Sequence, residues 1–229
     1  QFSDSLVDVS SLENNSVLDL SNIIQHETFE KIGGGNTNGF ITSNGKYVFK
    51  QDFGLNDSHW YRVDLETNEK IIVDANANGT PSTGDSQQVL AASADGRYAL
   101  FTLDEYGTTD LVPGDQSSPG PLYRKDLLTG EIIRVDSLSD GSTFSANWGI
   151  RNATLSLDGN VAVFESSDSR FKGEYPVSGV ENHFYHKNLV TGELKLVDDW
   201  SPSTGGSGGY KFTISADGNI VGVNLHQEG

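Results

Sequence analysis

Short runs rich in β-branched and aromatic residues alternate with polar turn residues along this chain, and the alternation itself repeats. Four stretches align on a turn with an apolar run on either side: Phe40 to Phe49 around Ser43-Asn44-Gly45, Ala92 to Phe101 around Ala94-Asp95-Gly96, Leu155 to Phe164 around Leu157-Asp158-Gly159, and Ile214 to Val223 around Ala216-Asp217-Gly218. Each reads as a β-hairpin, because Asn-Gly or Asp-Gly supplies the positive backbone angles of a tight turn. A second unit follows the first three: Trp60-Tyr61-Arg62-Val63-Asp64-Leu65-Glu66-Thr67-Asn68, Leu122-Tyr123-Arg124-Lys125-Asp126-Leu127-Leu128-Thr129-Gly130 and Phe184-Tyr185-His186-Lys187-Asn188-Leu189-Val190-Thr191-Gly192. Each leads into a short strand ending at Asp74, Asp136 or Asp198. Two hairpins make four strands per repeat.

The turn glycines at 45, 96, 159 and 218 give a mean period of about 58 residues, close to the roughly 40–50 of propeller blades once loops are added. Consecutive four-stranded antiparallel units predict an all-β protein, a β-propeller forming a single domain over 1–229. The expected blades are 38–74, 89–136, 151–198, and a fourth assembled from 210–229 with 1–24. In that fourth blade Leu6-Val7-Asp8-Val9 and Ser16-Val17-Leu18-Asp19-Leu20 supply the third and fourth strands, Val7-Asp8-Val9 matching Val63-Asp64-Leu65. Sharing one blade between the termini closes a four-bladed ring without an open sheet edge. An arc of a larger propeller is the alternative.

The second repeat, with Gly84-Asp85-Ser86, Ser93-Ala94-Asp95-Gly96-Arg97-Tyr98, Leu111-Val112-Pro113-Gly114-Asp115 and Tyr123 to Gly130, resembles the WD40-like repeats of TolB-type β-propellers. It is most similar to those of secreted or surface-exposed bacterial proteins. The resemblance covers about residues 40 to 229. It implies a bacterial protein, secreted or on the cell surface, in a family whose members serve as binding scaffolds, accessory domains and, less often, enzymes. Fold alone licenses no activity.

Composition narrows the partners. The chain has 229 residues, 15 Lys plus Arg against 32 Asp plus Glu and a formal charge of −17, which argues against nucleic acid and anionic lipid. With no Cys among its residues, disulfides, thiolate metal sites and cysteine catalysis are excluded. No apolar run approaches the roughly 18 residues that read as a spanning helix, so membrane insertion is not expected. The start at Gln1 without Met or a leader suggests a processed product or an excised segment.

Candidate chemistry gathers in the loops. Asp74-Ala75-Asn76-Ala77-Asn78-Gly79-Thr80 through Asp85 offers oxygens at positions 1, 3 and 5, a Gly at 6, the Thr80 carbonyl and a carboxylate at 12, the spacing of a calcium loop. The expected metal ligands are Asp74, Asn76, Asn78, Thr80 and Asp85; the alternative is an Asn/Gly-rich turn whose side chains bond their own backbone. Asp110 and Asp115 could form a second oxygen-rich loop. The stretches 51–59, 103–121 and 166–182 vary in length, and with the loops between repeats they occupy one face, where recognition resides on a rigid scaffold. Trp148, Trp200, Tyr106, Phe171, Tyr175 and Tyr210 lie in or near these loops and suit stacking on a sugar or packing on a protein, or else plug gaps between blades. His59 and His183 occupy matching repeat positions and read as a repeat feature. No Gly-x-Ser-x-Gly elbow or phosphate loop occurs. The leading reading is a binding or structural module presenting variable loops to a protein or glycan; the competing one is a carbohydrate- or peptide-active enzyme at the central channel mouth.

Overall fold

The computed structural model describes residues 39–53, 58–82, 88–103, 111–112, 120–143, 150, 152–166, 170–171, 183–197 and 211–224. All of them belong to the unit spanning Ile32–Gly229; the strands expected near residues 6–9 and 16–20 lie outside the described residues. The elements bounded within the described residues are β-strands. The first sheet runs β1 (Gly39–Ile41), β2 (Tyr47–Phe53), β3 (Ser58–Asp64) and β4 (Lys70–Ile72). The second runs β5 (Gln88–Ala92), β6 (Tyr98–Thr102), β7 (Leu122–Asp126) and β8 (Ile132–Arg134), and the third β9 (Ala153–Leu155), β10 (Val161–Ser166), β11 (His183–Asn188) and β12 (Leu194–Leu196). A two-stranded sheet of β13 (Lys211–Ile214) and β14 (Val221–Asn224) follows. Each complete sheet is an antiparallel meander in sequence order, and the series is propeller-like.

The four expected hairpin turns are all present, with a geometry the Asp-Gly rule did not foresee. Only the glycines, Gly45, Gly96, Gly159 and Gly218, take positive φ, near +70 to +77°. The preceding Asn or Asp instead works through its side chain. In the second repeat the Gly96 N–H donates to the Ser93 carbonyl at 3.0 Å, Ser93 Oγ donates to Asp95 Oδ1 at 2.6 Å and Arg97 N–H donates to the same oxygen. Tyr98 N–H then donates to Ser93 Oγ. The pattern recurs at Thr42, Ser156 and Ser215. It is a type I turn followed by a left-handed glycine, so one positive angle suffices.

Two apolar clusters fill the spaces between sheets. One joins Phe49, Trp60 and Val73 of the first sheet to Val89, Ala99, Phe101 and Tyr123 of the second. The other joins Leu100, Leu122 and Val135 of the second to Leu155, Ala162, Phe164 and Tyr185 of the third. Successive side chains on a strand point to opposite faces, so each sheet gives one face to its predecessor and one to its successor. β6 and β10 are therefore apolar runs without alternation, as expected of strands covered on both sides. β9 packs against β5, β6 and β13, which puts the first strands of the second, third and fourth sheets on the same side of the series.

Candidate functional site

Each seam between sheets is also built from polar groups. Arg62 Nη1 donates to the Gly96 carbonyl at 3.0 Å, Arg124 Nη1 to the Gly159 carbonyl at 2.8 Å, and His186 Nε2 to the Gly218 carbonyl at 2.9 Å. These are one repeat position reaching forward to the next sheet's turn. Arg62 and Arg124 lie 4.5 Å from the ring centroids of Tyr47 and Tyr98, and those rings sit under Gly96 and Gly159, where a Cβ would collide with them. Val161 fills the corresponding place under Gly218. The next residue along reaches backward. Lys125 Nζ donates to the Ile72 and Ala75 carbonyls, and Lys187 Nζ to those of Ser137 and Leu138. Burial pushes the Lys125 ammonium down to about 8, with Asp74 opposing the shift. Sequence reading passed over these residues, although Arg-Val, Arg-Lys and His-Lys stand in register in the second repeating unit.

The turns lie at one end of the sheets, where Leu127 N–H donates to the Arg97 carbonyl and Ala94 N–H reaches the Leu157 carbonyl at 2.7 Å. At the opposite end stand the carboxylates that close the repeats. β4 and β8 stop two residues short of Asp74 and Asp136, but Val73 and Val135 still donate to the Trp60 and Leu122 carbonyls. Asp74 Oδ1 then accepts the Trp60 N–H at 2.9 Å, and Asp136 Oδ1 accepts the Leu122 N–H at 3.0 Å. A buried carboxylate thus caps each ladder where the backbone acceptors end.

The two carboxylates differ in their counter-groups. Asp74 is fully buried; its Oδ2 lies 2.6 Å from His59 Nδ1 and accepts from Ser82 Oγ at 3.1 Å. Nδ1 carries the proton, since a carboxylate only accepts. His59 and Ser82 both converge on Asp74 Oδ2. Asp136 instead meets Arg134, with Nε at 2.9 Å and Nη2 at 3.0 Å; burial pushes its carboxyl above the ordinary range against the pull of the guanidinium. His59 serves the repeat, and Arg134 takes the same task one repeat later.

The expected calcium ligands fall as follows. Asp74 faces inward on the three donors above. Asn76 Oδ1 accepts the N–H groups of Asn78 and Thr80 at 3.0 and 2.9 Å, and the Thr80 carbonyl accepts from Asn76 N–H at 2.8 Å. Asn78 is exposed, and Asp85 lies outside the described residues. The same backbone turn recurs one repeat later, where Leu138 N–H donates to the Ser142 carbonyl and Gly141 N–H to that of Leu138. A leucine at the position of Asn76 forms this turn, so its shape does not depend on cation-binding oxygens. Among the described residues, no group of three or more His, Asp or Glu side chains is placed to hold a metal ion.

Of the aromatic ligand candidates, Phe171 is 1% exposed and packs 4.7 Å from Tyr185 and 5.6 Å from Phe164. It is a core ring, filling the gap between strands and offering no surface to a ligand. Trp148, Trp200, Tyr106, Tyr175 and Tyr210 lie outside the described residues, as do Asp110 and Asp115. The connections β2–β3 (54–57), β6–β7 (103–121) and β10–β11 (167–182) differ several-fold in length. The two long ones are pinned to the core, the first by Leu103 and Leu111 against the Phe49–Trp60 cluster and the second by Phe171. No helix among the described residues is long and apolar enough to cross a membrane.

No family model and no curated protein sequence matches the chain. Among solved structures it is similar to TolB from Acinetobacter baumannii, 20% identical with a TM-score of 0.44 over 71% of this chain and 32% of that one. It is similar also to a putative TolB from Agrobacterium tumefaciens, 16% identical with a TM-score of 0.44 over 81% of this chain and 59% of that one. An oligogalacturonate lyase from Vibrio parahaemolyticus is 16% identical with a TM-score of 0.41 over 69% of this chain and 38% of that one. The chain spans less than two thirds of the length of each.

Proposed function

We propose that this chain is a secreted or surface-exposed bacterial propeller module that holds a protein or glycan at the end carrying its unequal connections. The supporting observation is the contrast between the two ends. One end repeats the same hydrogen-bonded turn four times, while the other carries connections of very different length rooted in the core by Leu103, Leu111 and Phe171. Rigid strands with variable, anchored connections are the usual setting of recognition. The experiment is a screen against a glycan panel and bacterial surface proteins, repeated with 104–110 and 113–119 replaced by Gly/Ser segments of equal length. Binding lost at an unchanged melting midpoint supports the reading; binding retained places recognition elsewhere.

Within this reading, the segments 6–9 and 16–20 complete the sheet begun by β13 and β14, giving four blades. Calcium at the 74–85 loop is a separate proposal resting on ligand spacing, and chelation tests it below.

A further inference from the structure

Asn-Gly pairs carry a reaction of their own, because a glycine amide nitrogen, with no side chain beside it, can attack the carboxamide carbon of the preceding asparagine. Such pairs stand at 38–39, 44–45 and 78–79; Asn38 lies outside the described residues. The other two are closely matched. Asn44, Gly45, Asn78 and Gly79 are all exposed. Both glycines have positive φ, +70° and +81°, with nothing within 4 Å of the place a Cβ would take. Both amides donate to a backbone carbonyl, Gly45 to that of Thr42 at 2.8 Å and Gly79 to that of Asn76 at 2.9 Å. Access to the attacking nitrogen therefore does not separate them.

The carboxamides do. Asn44 Oδ1 accepts from Thr42 Oγ1 at 2.7 Å and from the Lys46 N–H at 3.0 Å, and Thr42 Oγ1 accepts in turn from the Tyr47 N–H. In the other turn Asn76 takes this role, its Oδ1 accepting from the N–H groups of Asn78 and Thr80. The Asn78 carboxamide itself meets no partner among the described residues. We propose that Asn78 is a self-modifying position, deamidating in the folded protein ahead of Asn44. The Gly79 nitrogen bonds to Asn78 Cγ, the Cγ–Nδ2 bond breaks, and Nδ2 leaves as ammonia with the Gly79 amide proton. Water then opens the cyclic imide at either carbonyl, leaving an aspartyl or an isoaspartyl linkage. Freeing the Asn44 carboxamide breaks two hydrogen bonds, a handicap of roughly ten- to hundredfold in rate. The product adds one negative charge to the −17 of the chain, on a turn whose Asp74 faces inward. Its isoaspartyl form also lengthens the backbone beside Ala77, whose carbonyl lies 3.2 Å from where a Gly130 Cβ would stand, and so disturbs the packing of this turn on the second sheet. The inference is independent of what the variable end binds.

The test holds the intact chain at mildly alkaline pH for days, folded and in urea, with a chelator present so that no cation restrains Asn78. Samples are acid-quenched and digested, and tandem mass spectrometry assigns aspartyl and isoaspartyl products to 38, 44 and 78. The expected result is conversion at 78 at least tenfold faster than at 44 in the folded chain, and a ratio near one in urea. Thr42→Ala should accelerate Asn44 severalfold and leave Asn78 unchanged. Equal rates in the folded chain, a faster Asn44, or a folded chain unreactive at 78 while the urea sample converts would overturn the proposal. An Asn44 rate unmoved by Thr42→Ala would overturn the tether as its cause.

Discussion

Replacing Gly159 with alanine separates two costs that are usually confounded. Gly159 has φ +77°, and a Cβ there would run into the Tyr98 ring of the preceding sheet. Gly141 has φ +81° and open space around it. Both substitutions incur the penalty of a left-handed non-glycine residue, about 1–2 kcal/mol. Gly159→Ala must in addition displace Tyr98, which is held between the Arg97 and Arg124 guanidinium groups at 5.0 and 4.5 Å. Overpacking of a tight contact adds about 1–3 kcal/mol. Urea unfolding should therefore show Gly141→Ala down by about 1–2 kcal/mol and Gly159→Ala by about 2–5 kcal/mol, a large part of a typical 5–15 kcal/mol stability. Tyr98→Ala should remove most of the extra cost in a double-mutant cycle. Equal losses at 141 and 159, or strict additivity with Tyr98→Ala, would refute the interlock.

Two further outcomes follow from the carboxylates. At Asp126, burial raises the carboxyl, but the Arg97 guanidinium and the N–H groups of Leu128 and Thr129 outweigh it and hold the value at about 2, below the ordinary 3.8. Its stabilisation is therefore present in full above 3.8 and is lost as the pH falls through about 2; thermal melts of Asp126→Asn should converge with the parent across that window, and a constant offset would contradict the assignment. For calcium at the 74–85 loop, a chelator at matched ionic strength should lower the melting midpoint; an unchanged midpoint would reject a bound structural ion and leave Asp74 and Asn76 to the protein donors they already meet.

The hairpins were legible because glycine identity and β-turn geometry are local, and the four turn glycines stand in the chain as punctuation. The split of labour inside each turn was less so: positive φ falls on glycine alone, while Asp95 or Asp158 acts as an acceptor two residues from a serine. Residues that act between sheets were in plain view but unreadable in isolation. Arg124-Lys125-Asp126 looks like an exposed charged stretch, yet all three side chains are buried, since each finds partners 29 to 53 residues away. The calcium spacing is a linear motif and omits what the fold adds. Asp74 is a repeat position shared with Asp136, and its partners come from β3 and Ser82, which a linear motif does not register. Phe171 was read as a loop aromatic because no local pattern signals that a connection folds back into the core.

The pairing of a forward-reaching Arg or His with a backward-reaching Lys on adjacent residues of one strand has a consequence for modular recombination. β7 is joined through Arg124 to the third sheet and through Lys125 to the first, so excising the second sheet at its connecting loops would strand hooks on both neighbours. Grafts between such proteins should instead exchange whole seams, cutting through the middle of a sheet so that each hook travels with its socket.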